Sequence, residues 1–121
     1  MWLFHPLGFC SIVAHAGDPH SLLARGRISG DLERLFPGFK IQATPRRDYR
    51  YRTVVPRGAV ARRVAEMVVA IDYPNFKDAA PRDRHDAYLN VWTTMYYEQV
   101  RRAPKARRRR QPLGLAPTQW R

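Results

Sequence analysis

The tightest constraint in this chain is a strand that runs straight into a helix. From Tyr49 to Val55 the residues alternate, with Tyr49, Tyr51, Thr53 and Val55 on one side and Arg50, Arg52 and Val54 on the other. That period of two marks a strand with one buried face. Pro56 suits a helix start, because its fixed φ and missing N–H cost nothing in the first turn. Val60, Val64, Met67, Val68 and Ile71 then recur at i, i+4, i+7, i+8 and i+11, one apolar stripe of a helix. Arg57, Arg62, Arg63 and Glu66 fall on its wet side.

The residues before this unit read as sheet. Met1–Phe4 and Phe9–His15 form two short strands or one bent one around Pro6-Leu7-Gly8. Both faces of the second are largely apolar, as in a strand buried on both sides. Leu22 to Ile28 returns as a hairpin partner, with Leu22, Ala24 and Gly26 on one face and Leu23, Arg25 and Arg27 on the other. Ser29 is placed to cap a short helix through Leu32, Leu35 and Phe36, with Asp31 and Glu33 at the positive end of its dipole. Pro37-Gly38 ends it, and Phe39–Thr44 reads as a further strand.

Beyond Ile71, Tyr73 and Phe76 need burial, so 72–81 is expected to be a packed connection. A last helix runs from about Asp83 to Arg102, with Tyr88, Val91, Trp92, Met95 and Gln99 on one stripe, and is expected to cover the core. Pro104 stops it. The order β-β-α-β-β-α-α predicts an α+β two-layer sandwich: an antiparallel sheet of about four strands with helices mainly on one face. Residues 1–102 form one domain and 103–121 a basic tail rich in Arg and Pro.

Charge bears on function. The net charge is +12, of which residues 101–121 contribute eight basic residues and no acid, leaving +4 (14 basic minus 10 acidic) for residues 1–100. Such a block is the electrostatic footprint of a polyanion ligand, or a solvated tail. The excess of Arg over Lys, 19 to 3, follows from a GC-rich genome, but the clustering does not. The single cysteine, Cys10, excludes an internal disulfide and a CxxC metal site, which fits a reducing cytoplasm. The apolar N-terminus lacks the basic residues of a secretory signal, and Pro6 and Gly8 break it too early for a membrane span.

Gly8-Phe9-Cys10-Ser11-Ile12-Val13, Asp48-Tyr49-Arg50-Tyr51-Arg52, Ile71-Asp72-Tyr73-Pro74-Asn75-Phe76-Lys77-Asp78, and Tyr88 with Val91-Trp92 together resemble a group of short, uncharacterised bacterial proteins. The resemblance covers roughly residues 1–100. It implies a cytoplasmic domain, bacterial or phage-borne, and no activity.

Several groups are candidates for function. Tyr49, Arg50, Tyr51 and Arg52 interleave aromatic and basic residues, as a surface for single-stranded nucleic acid does; alternatively the tyrosines are core and only the arginines reach a partner. Arg46, Arg47, Arg50, Arg52, Arg62 and Arg63 would make a basic face, and Arg107, Arg108, Arg109 and Arg110 an arm for phosphates. Asp72 and Asp78 could hold Mg²⁺ for phosphodiester cleavage with Lys77 steadying charge, although Asx and Pro turn chemistry explains the same residues. His5, His15, His20, His85 and Cys10 match no zinc spacing, and no glycine loop cradles phosphate, so no cofactor or metal is expected. These features favour a non-enzymatic nucleic-acid-binding domain, with RNA or a ribonucleoprotein expected before DNA. A protein-interaction module that regulates or inhibits a partner through Tyr97, Trp120 and Leu113-Gly114-Leu115 is the alternative, and a small metal-dependent nuclease comes third.

Overall fold

A computed structural model describes residues 1–104 of the chain. Strands β1 (Trp2–His5), β2 (Gly8–Ala14), β3 (Ser21–Gly26), β4 (Gln42–Ala43) and β5 (Tyr51–Pro56) form one antiparallel sheet in the order β1-β2-β3-β5-β4. Helix α1 (Asp31–Leu35) follows β3, and α2 (Arg57–Val69) follows β5. After them come a one-turn helix α3 (Phe76–Ala79), a 3-10 turn at Arg82–Arg84, and the long helix α4 (His85–Arg101). This is the expected α+β architecture. It has five strands rather than about four, because the N-terminal run folds on itself as a hairpin, with Leu3 opposite Cys10 and Phe4 opposite Phe9.

Alternation sorts the sheet. Cys10 and Ile12 on β2, Ala24 on β3 and Val55 on β5 point to one face. There they meet Leu32, Leu35 and Phe36 from the α1 region and Val60 and Met67 from α2. Removing this apolar area from water is the main stabilising term, about 1.5–3 kcal/mol for each large side chain. The strand-to-helix junction is as direct as the sequence implies: Pro56 ends β5 and is also the residue that opens α2. Of the α2 stripe, Val60, Val64 and Met67 reach the core, whereas Val68 and Ile71 are exposed.

Three expectations are corrected. Ser29 does not cap α1; Gly30 occupies that place in a left-handed conformation (φ 91°) with no side-chain cap bond. The Asp31 side chain is drawn inward instead and accepts a hydrogen bond from the Phe9 N–H (3.0 Å). Of the strand expected over Phe39–Thr44, only Gln42–Ala43 pairs with β5, while the chain at Lys40 is held by a bond from Thr53 Oγ1 to its carbonyl (2.9 Å). Finally, α4 does not cover the core. Its buried anchor is Tyr88, whose ring packs edge-on against Phe4 (5.4 Å) and stacks on Phe76 (5.7 Å), while Val91, Trp92 and Met95 stay substantially exposed. The Arg84–Asp31 contact pins the start of the helix beside α1, and the rest extends from there.

Candidate functional site

Cross-strand register assembles a row on the face of the sheet opposite the core. Trp2 stands opposite Ser11, Ser11 opposite Arg25, Arg25 opposite Arg52, and Arg52 opposite Gln42. Each of these residues flanks one that faces inward (Leu3, Cys10, Ala24, Thr53), so the period of two turns the row outward. The helices packed on β3 and β5 are α1 and α2, both on the core side.

The centre of the row is basic. Arg25 Nη2 donates to Ser11 Oγ (2.9 Å), and Arg27 Nη1 donates to the Asp48 carbonyl (3.0 Å). Both guanidiniums lie over the Tyr49 ring, Arg25 at 4.5 Å and Arg27 at 4.0 Å from its centroid. The ring's negative π-face favours such cations. Arg52 reaches Asp48 Oδ1 only at 3.6 Å, and that carboxylate already accepts from the Tyr49 N–H (2.9 Å). Among the described residues, Asp48 is the one carboxylate paired with any of the three arginines. The Nε atoms of Arg25 and Arg52 are buried with no hydrogen-bond partner. Like charges directly opposite on a sheet destabilise it, and a donor withdrawn from water without a partner adds to the penalty. An oxyanion on the accessible part of the guanidiniums would offset the charge repulsion, since a guanidinium presents a rigid fork of donors to phosphate or carboxylate.

The sequence-derived arginines are dispersed rather than gathered on one face. Arg46, Arg47 and Arg50 are exposed on the turn between β4 and β5, next to the row that holds Arg52. Arg62 is exposed on α2, which packs against the other side of the sheet. Arg63 is occupied: its Nε donates to the Leu35 carbonyl (2.6 Å) and Nη2 to that of Arg34 (3.1 Å), closing the C-terminal end of α1. Arg107 to Arg110, with Leu113, Leu115 and Trp120, lie outside the described residues. The tyrosines are largely buried, although Tyr49 does so beneath the arginines rather than in the core, whereas Tyr51 packs against the core. Arg25, Arg27 and Trp2 were not singled out from the sequence. Parity had placed Arg25 and Arg27 together, but only the β3–β5 register brings Arg52 beside them.

The other candidate groups resolve into local structure. Asn75 Oδ1 accepts from the Lys77 N–H (3.1 Å) and caps α3. The Lys77 ammonium lies over the Trp92 ring (5.1 Å), whereas Asp72 and Asp78 are exposed. Among the described residues no three of His, Cys, Asp and Glu converge on a point that could hold a metal. Burial pushes the Cys10 thiol up to about 12, so it is not a ready nucleophile. Also among the described residues, no helix is long and apolar enough to cross a membrane. No family model, curated protein or solved structure matches the chain.

Proposed function

We propose that this chain is a non-enzymatic nucleic-acid-binding module, and that phosphates are held on the outer sheet face by Arg25, Arg27 and Arg52. One observation carries this reading: Arg25 and Arg52 are fixed directly opposite each other on the sheet, and Asp48 supplies little compensating charge. Ser11 and the Tyr49 ring hold Arg25 in place, but neither offsets the two like charges as a polyanion ligand would. The exposed arginines of the neighbouring turn, Arg46, Arg47 and Arg50, extend the positive surface. The tail arginines Arg107 to Arg110 add an arm of the same sign. Contacts of this kind set affinity and position without reading base sequence. A cytoplasmic setting fits the lone cysteine, which β2 buries in the core.

The test is a binding titration of labelled RNA and DNA oligonucleotides over a range of salt concentrations. Affinity should fall steeply with salt, and each arginine that holds a phosphate should contribute about 0.7 to the log–log slope on a single strand. Arg25→Gln, Arg27→Gln and Arg52→Gln should each flatten it. Salt-independent binding, or no binding at low salt, would overturn the reading.

A further inference from the structure

We infer that the nucleic acid bound by the arginine row is single-stranded, and that an unstacked base seats against Trp2; this rests on the reading just given. Trp2 belongs to the same cross-strand row as Ser11, Arg25 and Arg52, on the same outward face. Strands lie about 4.8 Å apart, so Trp2 stands roughly 10 Å from Arg25 and roughly 14 Å from Arg52 along the row. Ser11, which stands between Trp2 and Arg25, is 1% exposed, so an extended single strand would pass over the side chains that cover it on the way from the arginines to the indole. The Trp2 side chain is 70% exposed although it belongs to a strand and has an apolar body. That exposure leaves a flat π-surface at the end of a row of phosphate-binding groups.

Beside Trp2 the surface falls into a groove of about 980 Å³ between β1 and α4, lined also by Phe4, Tyr88, Val91, Trp92 and Met95. The rings of its walls pack largely on one another (Phe4 on Tyr88, Tyr88 on Phe76, Trp92 on Tyr96), so the exposed Trp2 indole is where a base would stack, since every base has a π-face. The charged residues lining the groove, Glu98 and Arg102, pair with each other, and the cations nearby are Lys77 and Arg101. Lys77 stands over Trp92, and on the α4 side Arg101 and Arg102 share the single carboxylate of Glu98. An apolar peptide would fit the walls, but the adjacent pair Arg25 and Arg52 in the row that ends at Trp2 favours a ligand that couples aromatic rings to anionic linkages. A duplex does not fit this geometry, because its bases stay stacked inside and turn no face toward a side chain.

The experiment uses the full-length chain with three fluorescent probes of equal length: oligo(U), oligo(dT) and an RNA duplex. Binding is read as anisotropy for wild type, Trp2→Ala, Trp2→Phe and Arg52→Gln. Wild type should prefer the single strands, and Trp2→Ala should weaken them by about fivefold or more while leaving the duplex unchanged. Trp2→Phe should recover part of the loss. Since Trp2 is largely exposed, unchanged thermal melting of Trp2→Ala separates this from misfolding. Duplex binding as tight as single-strand binding, or a silent Trp2→Ala, overturns the inference. If Arg52→Gln still weakens every probe in that case, the arginine reading survives alone. If wild type binds none of the three, both fall.

Discussion

The Asp31 carboxylate and the Arg84 guanidinium meet inside the protein although 53 residues separate them in the chain. Their side chains are 1% and 6% exposed, so water does little to support either charge. Asp31 gathers further donors: the Phe9 N–H at 3.0 Å and Arg34 Nη2 at 2.7 Å. Hydrogen bonding to Asp31 in turn raises the Arg84 pKa above its ordinary value. One carboxylate thus ties β2, α1 and the turn that launches α4 into a single polar joint.

Asp31→Leu leaves the Arg84 guanidinium buried with only the exposed Asp83 carboxylate at 3.6 Å, and stranding one partner of a buried pair costs about 3–5 kcal/mol. Arg84→Met should cost less than Asp31→Leu, because Asp31 keeps Arg34 and the Phe9 N–H. The double variant Asp31→Leu/Arg84→Met should lose less than the sum of the two single changes, because Asp31→Leu alone strands Arg84. Urea denaturation of the four proteins measures this, and strictly additive losses would contradict the coupling.

Gly8 is bound to the same joint. A Cβ at position 8 would stand 2.6 Å from Asp31 Cγ, closer than any tolerated contact. Gly8→Ala should therefore destabilise by about 1–3 kcal/mol through overpacking. Asp31→Gly in the Gly8→Ala background should relieve the clash, so that the second change costs less there than in wild type. Equal stability of Gly8→Ala and wild type in urea would show that the hairpin shifts freely.

Local patterns were legible wherever one residue's neighbours in sequence decide its place. The alternation through Thr53 and Val55 and the spacing of Val60, Val64 and Met67 both reach the core, and Pro56 joins the two elements with no loop. What parity and periodicity cannot encode is which strand lies beside which. Asp31 reads as a helix-terminal acid because its partner, Arg84, is distant in sequence. Arg63 reads as a solvated helix residue, yet it closes the carbonyls that α1 leaves open. The exposure of Val91, Trp92 and Met95 was equally hidden, because a helical stripe shows that a face is apolar without showing what it packs against.

His5 gives the fold a pH dependence. Burial, assisted by the positive charge of Arg63, lowers its pKa below 6.5, and its neutral Nδ1 accepts from the Leu7 N–H (3.0 Å). The unfolded chain therefore binds a proton more readily than the native one, and stability rises with pH across that interval. The contribution is complete above about pH 6.5 and is lost as the pH falls from there toward the native value. The urea midpoint of wild type should drop between pH 7.5 and 5.5, and that of His5→Asn should drop less. Parallel changes in the two proteins would assign the dependence to another group.

Cys10 should act as a reporter of opening. With no exposed surface and a thiol pKa of about 12, it should resist a thiol-specific reagent at pH 8 in the native protein. Labelling should appear as urea unfolds the chain, with a midpoint that matches the loss of circular dichroism. Fast labelling without denaturant would mean that β2 opens locally, independently of the global transition.

The arginine row makes a prediction in which stability and binding move in opposite directions. Arg52→Gln removes one of two like charges set opposite each other, and the lost contact to Asp48 is long, at 3.6 Å. Relief of the cross-strand repulsion should raise unfolding stability by about 0.2–1 kcal/mol, the usual range for such pairs. The same change should weaken nucleic-acid binding and reduce its salt dependence, because a phosphate contact is lost. Arg62→Gln, on the helix behind the sheet, is the control: it removes the same charge from the protein but not from the row. It should alter binding less than Arg52→Gln at equal salt and leave stability within about 0.5 kcal/mol of wild type. Equal losses of binding from the two variants would mean that the ligand senses only net charge. Lowered stability in Arg52→Gln would mean that its guanidinium is held in place for the fold, not for a partner.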